Sequence, residues 1–239
     1  MHAVIKRLIK KLAVRLGVLI YEVNHKIADE TLPRFGNDPQ NVRIDLPRRI
    51  VSPERMFLGN DIWLGPGSLL VAITHYPTLP MERPGKDQPD QAFDPKITIG
   101  NRVTSTADLQ IAAMSEITIE DDVLFASNIN ITDGLHGYGN ANEPYKYQPM
   151  FRIAPVLIKR GCWIGQNVVI LPGVTIGEFA IVGANSVVSK SIPARCIAVG
   201  APARVVKIWD DATRRWVPVA GANDASISVQ GLGGGPDEP

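Results

Sequence analysis

Cysteine is scarce in this chain. Of 239 residues only Cys162 and Cys196 are cysteines, and they form no CxxC pair and no metal-ligand spacing. That excludes a disulfide framework and favours a reducing compartment. Aromatic residues are 6%, so an interior built on large rings is excluded in favour of a narrow one lined by Val and Ile. No apolar run reaches the roughly 18 residues that span a bilayer, and no secretory signal pattern is present. These features predict a cytoplasmic protein. Net charge is +1, which gives no overall electrostatic pull towards nucleic acid. Histidines number four, too few for most imidazole-rich metal centres.

What is plentiful is punctuation and aliphatic spacing. The chain holds 21 Gly and 19 Pro, and 45% of it is hydrophobic. From residue 156 a strict period appears. Ile158, Ile164, Ile170, Ile176, Val182 and Val188 stand six apart, and two residues before each comes an apolar or small residue. Neither a helix nor a simple alternating strand has this period. It predicts a solenoid of short strands, three to a triangular coil of eighteen residues, stacked as parallel sheets. Gly165, Gly177 and Gly183 are expected at the corners, where positive φ favours glycine.

The same phase runs through Ile50, Leu58, Leu64 and Leu70, then Ile97/Ile99, Val103/Ser105 and Leu109/Ile111. Two residues are inserted around Ala112 to Met114. The phase resumes at Ile117/Ile119, Val123/Phe125 and Ile129/Ile131. The organisation predicted is a basic amphipathic helix over 1–30, a linker over 31–49, a repeat domain over 50–206 and an extension over 207–239. The extension should hold a helical turn, a strand and a disordered tail, "GLGGGPDEP". Two excursions leave the repeat, at 74–95 and 132–155, each beginning near a histidine. Long loops inside a compact domain are commonly functional.

The stretch "CWIGQNVVILPGVTIGEFAIVGANSVVSKSIP", followed by "VGAPARVVK", resembles the hexapeptide-repeat acyltransferases, in particular the acetyl-CoA-dependent O-acetyltransferase branch of the surface-polysaccharide type. The resemblance covers about residues 50–207. It implies an all-β left-handed parallel β-helix, a homotrimer with sites between subunits, acetyl-CoA as acyl donor and a sugar or lipid-linked sugar hydroxyl as acceptor in lipopolysaccharide or capsule biosynthesis. No metal is expected.

Acetyl transfer to a hydroxyl needs a base to take the hydroxyl proton. Imidazole suits that task near neutral pH. His136 follows Ile131 by five residues, the offset at which similar enzymes carry their base. Where such enzymes often read Asp-His-x-His, this chain reads Asp133-Gly134-Leu135-His136. His75 stands at the same offset from Leu70, which falls in the column of Ile131 two coils away. It is the competitor, as an acceptor-binding residue or an ordinary loop histidine. Asp108, Asp133 and Tyr138 are further acceptor-side candidates, Asp133 as a partner that orients His136. The resemblance assigns Gly165, Gly183, Ala184, Ser189, Lys190 and Arg204 to the cofactor, where cations would meet phosphate. The alternative for each is a role only in the fold or on the solvated surface. Cys162 should be core and Trp163 outer surface.

Other readings stay open: an N-acetyltransferase acting on an amino sugar, a γ-carbonic anhydrase-like metal solenoid, or a non-enzymatic scaffold. The N-terminal helix could cap the end of the solenoid or make peripheral contact with the inner membrane surface.

Overall fold

The computed structural model describes residues 2–77 and 90–219. Residues 78–89 of the first excursion and the tail expected to be disordered lie outside them.

Period six is realised as stacked coils of three short parallel strands. Leu58 lies in register with Ile99, Ile119, Ile158 and Ile176 in one inward column. Leu64, Ser105, Phe125, Ile164 and Val182 form the second. Leu70, Ile111, Ile131, Ile170 and Val188 form the third. These side chains are buried, and the apolar ones, with the apolar residues two positions before them, make one continuous core. The register advances by eighteen residues where Ile164 faces Val182. It advances by twenty where Ile97 faces Ile117, because Ala112–Met114 lengthen that coil.

The corners differ from expectation. Gly165, Gly177 and Gly183 do not have positive φ. They are required by close stacking instead: a Cβ on Gly165 would lie 2.7 Å from the Ala184 nitrogen, and one on Gly177 2.3 Å from the Ala194 nitrogen. The left-handed corners are held largely by Asn and Asp, including Asn41, Asp61, Asp108, Asp122, Asn128, Asn167 and Asn185. These short polar side chains tolerate that conformation. At one corner they also bond along the stack. Asn128 Nδ2 donates to Asn167 Oδ1 and Asn167 Nδ2 to Asn185 Oδ1, both at 2.9 Å.

Both ends of the predicted repeat shift. The stretch 31–49 is not all linker, since Val42–Ile44 already pairs with Ile62–Leu64 and Ile44 is core. At the other end no helical turn forms among the described residues. Arg204–Asp210 pairs antiparallel with Cys196–Val199, and Arg215–Pro218 pairs antiparallel with Arg204–Asp210. Trp209 and Trp216 meet edge to face at 5.4 Å across this hairpin. It covers a parallel edge that would otherwise offer unpaired backbone groups.

The one α-helix among the described residues, α1 (His2–Glu30), meets the coils near its C-terminal end. Ala28 is buried, the Arg48 guanidinium donates to the Ala28 carbonyl at 2.8 Å, and Asp29 pairs with Arg43 at 3.1 Å. The expected cap is therefore confined to the last turns of α1.

Candidate active site

Both excursions leave the third strand of a coil, and each is closed at its neck by a backbone hydrogen bond. The Phe93 N–H donates to the Thr74 carbonyl at 2.8 Å, and the Ala154 N–H donates to the Asp133 carbonyl at 2.8 Å. Beyond each neck lies a two-residue antiparallel ladder. His75–Tyr76 pairs with Gln91–Ala92, and Leu135–His136 pairs with Met150–Phe151. Leu70 and Ile131 do share a column, on either side of Ile111. The two excursions consequently emerge on the same side and meet.

His136 lies where they meet. It is exposed, opposite Met150 in its ladder. Its ring meets the Tyr76 ring edge to face, with centroids 5.4 Å apart. Tyr76 is itself 8% exposed, packed with Met114, Met150, Ile73 and Phe93. Its hydroxyl donates to the Lys146 carbonyl, and burial raises its pKa above the ordinary phenol value. Gln91 joins the excursions a second time, its side chain bonding both the N–H and the carbonyl of Met150. Gln148 is buried in the second loop and donates to the carbonyls of Asn140 at 2.8 Å and Glu143 at 3.0 Å. Tyr76, Gln91 and Gln148 were missed from the sequence. A polar or aromatic residue directly after a candidate histidine, in register with another excursion, was the signal available for Tyr76.

The first-excursion residue that meets His136 is thus Tyr76 rather than His75. His75 is exposed, with its Nδ1 3.2 Å from Thr74 Oγ1. Neighbours in a strand point to opposite sides, so the two rings face apart.

Asp133 does not orient His136 and cannot touch an acceptor. It is completely buried, and its two carboxylate oxygens accept the N–H groups of Met114 and Ser115, each at 2.7 Å. Burial raises its pKa despite those bonds. It pins the lengthened coil at Met114 to the start of the second excursion. The same packing accounts for glycine at 134. A Cβ there would lie 2.7 Å from Met114 Sδ, so a histidine is excluded unless Met114 moves.

Asp108 is an exposed, left-handed residue at the corner shared with Asn128. His136 follows the next strand, on a different corner of the coil. Within one chain the two are not brought together. Tyr138 meets Phe151 edge to face at 5.4 Å. With Gly137, Asn140, Gln148 and Met150 these rings line a cavity of about 410 Å³ that begins at the residue after His136.

On the coils, Gly165 and Gly183 face protein atoms. A Cβ on Gly183 would lie 2.7 Å from Val199 Cγ1. Ala184, Lys190 and Arg204 are exposed and Ser189 half-buried. Cys162 is core as expected, its Sγ 3.0 Å from the Gly177 carbonyl and its pKa pushed up to about 11 by burial. Trp163 is exposed on the outer face. Among the described residues no three His, Cys, Asp or Glu side chains converge in a way that could hold a metal ion.

The family model for the bacterial transferase hexapeptide (six repeats) matches residues 155–190. The galactoside O-acetyltransferase of Escherichia coli (strain K12) is 34% identical over 125 residues, 52% of this chain and 60% of that protein. WbbJ of the same organism, a candidate lipopolysaccharide biosynthesis O-acetyl transferase, is 38% identical over 114 residues, 45% of this chain and 58% of that protein. The matches span about three fifths of these relatives' length. In fold, the chain is similar to a variant of AntD, an N-acyltransferase from Bacillus cereus solved with dTDP and coenzyme A. The TM-score is 0.57 at 22% identity, over 75% of this chain and 87% of that one. Over residues 155–190 the six-residue period seen in the sequence thus matches the bacterial transferase hexapeptide repeat.

Proposed function

We propose that this protein is an acetyl-CoA-dependent O-acetyltransferase acting on a sugar hydroxyl, with its coils wound as a left-handed parallel β-helix. The observation that carries the reading is the setting of His136. It is an exposed imidazole held on a short ladder at the neck of an excursion, braced by the Tyr76 ring and adjoining an aromatic-lined cavity. The repeat match and the likeness to O-acetyltransferases support the reaction class.

The chemistry asks little more of the chain. His136 takes the proton from the acceptor hydroxyl as its oxygen attacks the thioester carbonyl. The carbon–sulfur bond then breaks, and the leaving thiolate receives the proton back from the imidazolium. No covalent enzyme intermediate is needed, and holding both substrates together supplies much of the rate. Tyr138 and Phe151 offer aromatic faces to a sugar ring. Lys190 and Arg204 are exposed cations able to meet the donor's phosphates. In a homotrimer, Asp108 would reach an acceptor beside His136 only from a neighbouring subunit. The reading places the protein in surface-polysaccharide biosynthesis on the cytoplasmic side.

The test is thiol release from acetyl-CoA with a panel of sugars, lipid-linked sugars and amino sugars. Turnover with hydroxyl acceptors supports the reading. Turnover confined to amino sugars would make the protein an N-acetyltransferase, and no thiol release with any acceptor would refute the assignment.

A further inference from the structure

The N-terminal helix is amphipathic, and it is docked with its main apolar stripe turned away from the core. At 100° per residue, Ile9, Leu12, Leu16, Ile20, Val23 and Ile27 fall within an arc of about 80°. They are 42% to 68% exposed. The residues of α1 that touch the coils, His25, Ala28 and Asp29, lie on the opposite side of the helix. The apolar stripe therefore faces away from the protein. None of the described helices is long and apolar enough to cross a membrane.

The charges say what could cover the stripe. Lys6, Arg7, Lys10, Lys11 and Arg15 are all exposed, and no acidic residue precedes Glu22. Packing the stripe against a second copy would cover the apolar side chains but leave these cations, with no carboxylate among them, without a counter-charge. An anionic lipid surface satisfies both faces at once, taking the apolar side chains into the acyl boundary and the cations among its headgroups.

We infer that α1 is a membrane-surface anchor that lays its Ile9–Ile27 stripe on anionic lipid and leaves the coils in water. The inference does not rest on acyl transfer. The test is co-sedimentation of the full chain with vesicles of neutral phosphatidylcholine and with vesicles containing phosphatidylglycerol. Binding to the anionic vesicles is expected, weakening as salt is raised. Replacing both Lys10 and Lys11 by Gln should lower vesicle partition on the order of 30-fold, taking each cation near the surface at about fivefold. The pair Leu12→Glu and Leu16→Glu should abolish it while the far-ultraviolet spectrum of the strands is unchanged. Equal binding to neutral vesicles, or none to either, overturns the inference. So does a chain that ignores vesicles and changes its oligomeric mass in the Leu12→Glu, Leu16→Glu variant, which would make the stripe a contact between copies.

Discussion

Asp133 shows how one side chain shapes the proposed site without entering it. Its carboxylate satisfies two backbone N–H groups at the point where the lengthened coil and the second excursion touch. Asp133→Ala leaves both donors buried and unpaired, each costing about 1–3 kcal/mol. Urea unfolding should show a loss of about 2 kcal/mol or more. An unchanged midpoint would mean that water enters and replaces the carboxylate. Tyr76 acts on His136 by contact. Tyr76→Phe keeps the ring against the imidazole and removes only the bond to the Lys146 carbonyl. It should retain most of kcat, whereas Tyr76→Ala should lower kcat about tenfold or more by freeing the imidazole from its productive orientation. Equal rates for both variants would remove Tyr76 from the account.

Among elements, the strands were legible and the contacts between the excursions were not. Period six exposes the inward columns because a β-coil admits aliphatic side chains only at fixed places. Leu58, Ile99, Ile119 and Ile158 could accordingly be aligned from the sequence. The common column of Leu70 and Ile131 was also readable. Contacts between loops obey no period, so Gln91 on Met150 left no trace and Tyr76 against His136 left only its place beside a candidate histidine. The glycines misled, because a glycine at positive φ and one beneath a neighbouring coil look alike in a sequence. Gly165→Ala separates the two roles. Its Cβ would meet backbone, which cannot turn aside as a side chain can. The variant should lose about 1–3 kcal/mol of stability, read from the urea midpoint. Unchanged stability with weakened coenzyme A binding would return Gly165 to the cofactor.

For the molecule as a whole, the coils stack on one continuous core, with the proposed chemistry on the side where the excursions meet. One chain presents His136, Tyr76 and an aromatic cavity together, but keeps Asp108 on another corner. A trimer would set one chain's corner against another's excursion. Sedimentation equilibrium should return three chains, and a stable monomer with full activity would refute the shared site. The central claim is that His136 is the base. Its most direct test is thiol release from acetyl-CoA with the best acceptor, comparing wild type, His136→Ala and His75→Ala, with coenzyme A binding measured alongside. The account predicts that His136→Ala loses 10²–10⁴-fold in kcat, on the order expected for a general base, while coenzyme A still binds and His75→Ala stays active. Full activity in His136→Ala, with loss in His75→Ala, would contradict it.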